Sequence, residues 1–404
     1  MSLIKALAVG VATMGIGLGA MAAEQRGGVT RERLEQILSR PITINGLSFS
    51  PQQEDDFRMV ERLRPTFLGR VAYIWGNPWG DEGDYFKEMQ KVAARVNAID
   101  PDMIVQACVF EAVYTGVDSV PIPAWAFEAF DLPVEERTFR YEDMLFEDGR
   151  FVDQWGPGGS VPDISRPETK MWFYYRARSY IDAGYDAIHL GQIQLIGNTD
   201  PGYKKWKVVI DRVRDHAAEH ARLGFVLLDA HVVVVDHPLP KVDGTMLLDF
   251  LSFPLRPVEK PESPQEAILE MGHADTIYGR SPSAYTPSGW YADPMPYLVE
   301  FDNTHASGQE GEPGLGTPWV WGYEEVTWLA HQPAEYSNQW LRYAYDWLKE
   351  NDPNGNLQMP GSIPMGIHRD GERLWYRANT RSEASPDSFG QEDAIYAIWH
   401  GDDE

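Results

Sequence analysis

The chain has 404 residues, enough for one large domain or two ordinary ones and too many for a small stapled module. It carries 61 Asp and Glu against 35 Lys and Arg, a formal net charge of −26, which argues against nucleic acid and anionic membrane surfaces as partners. Hydrophobic residues make up 43%, which excludes global disorder, and the single cysteine, Cys108, excludes a disulfide framework or a multi-cysteine zinc site.

The first 22 residues read as a separate object. Lys5 closes a short positive start, an apolar run follows from Ala6 to Leu18, and Ala20-Met21-Ala22 supplies a small-x-small cleavage pattern. The expectation is a secretory signal peptide over 1–22 and a secreted or periplasmic bacterial protein. The alternative is a membrane anchor, but the run falls short of the roughly 20 apolar residues that span a bilayer. It also contains Gly10, Gly15, Gly17 and Gly19. No membrane contact is expected once the peptide is removed.

Residues 23–65 read as an N-terminal entry segment with a short helix over 30–38. A strand is expected over 66–75, then a helix over 84–98 with Phe86, Met89, Val92, Ala93 and Val96 at helical spacing. The apolar, β-branched run 103–114 reads as a buried strand. Residues 115–165 are irregular and proline-rich, long enough to suggest a functional loop. Pro167 opens a helix that Gly184 ends. Strand 186–195, helix 203–222, strand 225–235 and strand 245–250 follow. Residues 254–296 turn to Pro, Ser and Gly, with a weak strand signal at 274–278. Strand 297–302, helices 323–330 and 334–350, a short strand at 357–359 and a helix at 391–398 complete the chain. This alternation predicts a parallel sheet, and its extent fits a (β/α)8 TIM barrel with long loops, a single catalytic domain over 66–404. The runner-up is an open doubly wound sheet, but no glycine-rich turn directly follows a strand; Gly311, Gly314 and Gly316 lie in a loop.

In a barrel, working residues sit at the C-terminal ends of strands. Polar residues late in these apolar strands are Asn77, Glu111, His189, Gln192, Gln194, Asp229, His231, Asp249, Glu300 and Asp302. An ionised carboxylate in such a setting is costly unless paired or working. Glu111 and Glu300 on separate strands suggest the carboxyl pair of glycosidic bond hydrolysis, one protonating the leaving oxygen and one attacking carbon or activating water. Asp229 and His231 have period-2 spacing and share a face, as do Glu300 and Asp302, and as do Gln192 and Gln194. Such side chains bind substrate hydroxyls or set the pKa of a catalytic acid. Each also has a structural reading, as a rim salt bridge or a satisfied core group.

The first expected strand has no His, and His-Glu-x-x-His is absent, so no catalytic metal is expected. A structural calcium ion on loop carboxylates remains compatible with the sequence; Asp352 to Asn356 resembles part of a calcium loop, though such clusters are ordinarily turns. No Gly-x-Ser-x-Gly occurs, and Cys108 lies inside a strand as packing. Of the 14 tryptophans, many fall in expected loops or at element ends, where core packing does not require them. Trp75, Trp155 and Trp290 are the candidate platforms for a sugar ring; Trp340 and Trp347, seven apart in a helix, belong to the core.

Together, Glu111, Glu300, His189, Asp229, His231 and the tryptophan-rich loops make the chain resemble secreted TIM-barrel glycoside hydrolases. The resemblance implies a glutamate nucleophile on the seventh strand, a place Glu300 fits. It also implies an Asn-Glu pair on the fourth strand, which the chain lacks, so Glu111 and Asp229 both stand as the acid. The expected function is hydrolysis of a poly- or oligosaccharide, with carbohydrate as the partner. A carbohydrate-binding barrel without catalysis, and a polysaccharide lyase, are the alternatives.

Overall fold

The computed structural model describes residues 28–78 and 82–401. The expected signal peptide over 1–22, and Trp79, lie outside the described residues. Eight parallel strands form the centre: β1 (Pro41–Ile44), β2 (Phe67–Ala72), β3 (Ile104–Cys108), β4 (Ala187–His189), β5 (Leu227–Asp229), β6 (Leu251–Pro254), β7 (Tyr297–Glu300) and β8 (Gly355–Arg369). They pair in the order β6-β7-β8-β1-β2-β3-β4-β5. The remaining seam is closed by a parallel bridge between His231 and Ser252, with the Ser252 amide donating to the Ala230 carbonyl at 3.1 Å. The result is a nearly closed TIM barrel with strands in sequence order.

Helix α1 (Arg31–Ile37) precedes the barrel, with Thr30 as its cap accepting from the Arg33 amide at 3.2 Å. Helices α2 (Gln53–Leu63), α3 (Glu82–Ile99), α4 (Pro167–Asp182) and α5 (Lys204–His220) follow the first four strands in turn. Helix α6 (Ala334–Asn351) follows β7. Among the described residues no helix fills the connections after β5 and β6; loops and two-residue strands take their place. β8 runs on past the barrel and turns into an antiparallel partner, β9 (Glu372–Arg377), before α7 (Glu392–His400). No helix of the described residues is long and apolar enough to cross a membrane.

Three expectations need correction. The barrel begins at Pro41, not at 66, so the entry segment contributes its first strand and first outer helix. The sixth strand is Leu251–Pro254, just after the expected 245–250, and 274–278 is not a strand. The regular strands within the apolar runs at 103–114, 186–195 and 225–235 end at Cys108, His189 and Asp229; of the remainders, only the bridge at His231 still pairs with a barrel strand among the described residues, and the rest form the mouth. Gln192 and Gln194 therefore lie at the start of a one-turn helix, Ile193–Ile196, and do not share a strand face.

The bottom of the barrel is apolar. Phe67, Ile104, Ala187, Leu227, Phe250 and Leu298, at or beside strand starts, meet Val29, Leu34, Ile37 and Leu38 from the N-terminal segment. The mouth is polar, and it is there that the chemistry gathers.

Candidate active site at the barrel mouth

β2 does not run straight into the mouth. Its pairing with β3 slips between Leu68 and Ala72, and Arg70 takes a left-handed φ of 58°. That conformation costs about 1–3 kcal/mol for a residue with a side chain. It persists because both backbone groups of Arg70 are held: the amide donates to Gln106 Oε1 at 2.9 Å, and the carbonyl accepts from Asn45 Nδ2 at 2.8 Å. The bulge places a buried guanidinium among strand-end acids. Arg70 donates to Glu300 Oε2 at 2.7 Å through Nη2, and Nη1 lies 2.8 Å from Asp302 Oδ1.

Glu300, the last residue of β7, has no exposed surface. Oε2 also lies 2.8 Å from His231 Nε2, while Oε1 has no partner among the described residues. Burial pushes the carboxyl up, but the charge of Arg70 and the bond and charge of His231 outweigh it and hold Glu300 well below the usual carboxylate range. Glu300 is thus an anion with one oxygen held and one free. His231 and Asp302 cover it, with side chains 15% and 16% exposed, and are what the centre of the mouth offers to solvent.

A second unit lies beside it. His189 Nδ1 is 2.7 Å from Asp229 Oδ2, and both side chains are fully buried. The Asp229 oxygens are spent: Gln106 Nε2 donates to Oδ1 at 2.7 Å and Ser252 Oγ to Oδ2 at 3.0 Å. His189 Nε2 has no partner among the described residues. Below, Gln358 Nε2 donates to Thr43 Oγ1 at 2.7 Å. Gln358 needs Gly69 opposite, because a Cβ there would come within 2.2 Å of its Nε2. A barrel interior is usually filled by Val, Ile and Leu; here a polar layer fixes the residues above it.

Aromatic rings form one wall. Phe110 meets His189 edge-on at 5.8 Å, and Trp75, 41% exposed, meets Phe110 at 5.4 Å and Trp155 at 5.3 Å. Trp155 Nε1 donates to the Glu111 carbonyl at 3.1 Å. The Glu111 carboxylate accepts from the Gln192 amide at 3.0 Å and from Gln192 Nε2 at 2.9 Å. This contact requires Gly191, whose φ is +56° and whose added Cβ would fall 2.2 Å from Glu111 Oε2.

Glu300, Asp302, His231, His189 and Asp229 therefore come together, with Trp75, Trp155, Glu111 and Gln192 on the flanking wall. The other candidates do not join them. Gln194 holds a loop, donating to the Val233 carbonyl at 2.8 Å and accepting from the Val233 amide at 2.7 Å. Asn77 accepts from the Gly116 amide at 2.7 Å. Asp249 accepts from the Leu228 amide at 2.8 Å and from Arg214 at 2.9 Å. Trp290 is at the opposite pole: it precedes β7, donates to the Val29 carbonyl at 2.9 Å and lies under the Arg31 guanidinium, so it is no platform at the mouth. Asp352 accepts from the Gly279 amide at 2.7 Å and the Tyr297 hydroxyl at 3.0 Å.

Arg70, Gln106, Phe110 and Ser252 were not among the candidates from sequence. For three of them the signal was a charged residue, an amide and a hydroxyl inside otherwise apolar strands. Two trios of possible metal ligands, His189-Asp229-Glu300 and His231-Glu300-Asp302, have donor atoms within 4.8 Å of one another. Arg70 already supplies positive charge to Glu300 and Asp302, so a cation would share these carboxylates with a guanidinium.

No family model and no curated protein matches the chain. Among solved structures it is similar to an alpha-galactosidase from Thermus thermophilus in complex with p-nitrophenyl alpha-D-galactopyranoside, at 14% identity over 53% of this chain and 41% of that one, with a TM-score of 0.32. It is also similar to endo-glycoceramidase II from Rhodococcus sp. in complex with a five-membered iminocyclitol, at 11% identity over 89% of this chain and 78% of that one, with a TM-score of 0.40. The match spans about two fifths of the galactosidase's length. Both of these solved structures are glycoside hydrolases.

Proposed function

We propose that the chain is a glycoside hydrolase acting on a poly- or oligosaccharide, exported by its N-terminal segment, with Glu300 as its anionic catalytic carboxylate. One observation carries this reading. A buried glutamate ends the seventh strand, ionised by Arg70 and His231 on one oxygen and without a hydrogen-bond partner among the described residues on the other. A nucleophile for an anomeric carbon needs that combination of retained charge and a free oxygen. The wall of Trp75, Phe110 and Trp155 supports a carbohydrate, since flat rings cover the apolar face of a pyranose. His231 and Asp302 suit hydroxyl recognition, because they are the polar groups nearest solvent.

A non-catalytic carbohydrate-binding barrel is the second reading. It is favoured by the full burial of Glu300 beneath His231 and Asp302, which a substrate must move aside. The test is a panel of aryl glycosides and neutral oligosaccharides, with reducing-end release and calorimetric binding measured in parallel. Release supports the hydrolase. Saturable binding without release on any glycan supports the binding barrel. Neither release nor binding contradicts both.

A further inference from the structure

We propose that His189, oriented by Asp229, is the acid that protonates the leaving oxygen, and that Phe110 is the ring a substrate displaces to reach it. This rests on the hydrolase reading. A glycosidase needs a proton donor as well as a carboxylate. The two carboxyl groups the sequence offered for that task are both occupied as acceptors. Asp229 takes bonds from Gln106, Ser252 and His189, and Glu111 takes two N–H bonds from Gln192. His189 is different. Its Nδ1–H is fixed on a carboxylate that cannot turn, and its Nε2 is fully buried with no partner among the described residues. A ring anchored through one nitrogen presents the other in a single orientation and tautomer.

His189, Asp229 and Glu300 each offer one ligand atom within 4.8 Å of the others, close enough for one substrate to touch both His189 and Glu300. Glu300 Oε1 attacks the anomeric carbon, the bond from that carbon to the leaving oxygen breaks, and the Nε2 proton passes to that oxygen. The imidazole is left neutral, with Nδ1–H still on Asp229. A water then attacks the glycosyl ester at the same carbon, gives its proton to Nε2 and frees the Glu300 carboxylate. Access is through Phe110. Its partly buried ring packs against His189 at 5.8 Å and lies 5.4 Å from the Arg70 guanidinium, and it meets the exposed Trp75 in turn.

Leaving-group dependence tests this. Hydrolysis of a dinitrophenyl glycoside needs no acid assistance; hydrolysis of the phenyl glycoside does. His189→Asn should lose at least about 100-fold in kcat on the phenyl substrate. It should hold within about threefold on the dinitrophenyl substrate when glycosylation limits both. Asp229→Asn, which keeps the ring but releases its tautomer, should show the same selectivity with a smaller loss, and decides the matter if His189→Asn does not fold. Equal loss on both substrates, or no loss on either, overturns the proposal while the hydrolase reading stands. A wild-type protein that cleaves neither substrate overturns both.

Discussion

The two ends of the barrel are built from the same strands and obey opposite rules. At the bottom, Phe67, Ile104, Leu227, Phe250 and Leu298 close on α1 with no polar atom among their side chains. A few residues further along, the same strands deliver Arg70, Cys108, Asp229 and Glu300. There the backbone is bent out of its preferred region at Arg70, and buried atoms of Arg70, His189 and Glu300 lack hydrogen-bond partners among the described residues. The bottom is packed for stability. The mouth keeps charge and open valences in a low-dielectric setting, which is unfavourable for folding and useful for chemistry.

Three variants put this contrast to the test. The largest effect is expected at the bottom: Phe67→Ala, which removes a fully buried ring packed on Phe250, should cost about 3–5 kcal/mol in denaturant unfolding while leaving turnover per folded molecule unchanged. A parallel loss of turnover would show the two ends coupled.

Glu325 gives the next effect. It lies behind the mouth, accepting from the Asp302 and Asn303 amides at 3.0 and 2.8 Å, with Oε2 3.9 Å from Arg256 Nη1. Burial pushes its carboxyl up to about 8. The folded state therefore binds a proton that the unfolded chain has already released, so this contribution to stability is complete below about pH 4.5 and is lost as pH rises through about 8. Glu325→Gln should flatten that decline, whose slope is about 1.4 kcal/mol per pH unit while one proton separates the two states. An unchanged pH dependence of unfolding would mean that Glu325 is not the proton holder.

Trp75→Ala should have the smallest effect. Losing one exposed ring of the wall should raise KM or the sugar Kd by roughly five- to tenfold, about 1 kcal/mol, with kcat nearly unchanged. If kcat falls instead, the ring acts on the reaction rather than on binding.

The barrel was legible in the sequence because apolar strands alternate with helices of clear periodicity. β1 was not, because a four-residue strand beginning with proline gives no run long enough to stand out. Strand ends were overrun at Val109 to Tyr114 and at Val232 to Val235, where apolar side chains continue into loops that fold back over the sheet. Glu300, Asp302, His231, His189 and Asp229 were legible as polar residues late in apolar strands. Arg70 was not, because a search for acids passes over a base and a left-handed residue leaves no mark in composition. Trp290 was misplaced although the signal was present: it lies before its strand, and residues before a barrel strand face the bottom.

The central claim, that Glu300 is the catalytic anion, is tested most directly by Glu300→Gln, with turnover and melting temperature measured on the same preparation. The change keeps the shape of the side chain and removes its charge. Turnover should fall by at least about 1,000-fold, with a cooperative unfolding transition and sugar binding retained. Turnover near that of the wild type in a folded Glu300→Gln protein would contradict the assignment.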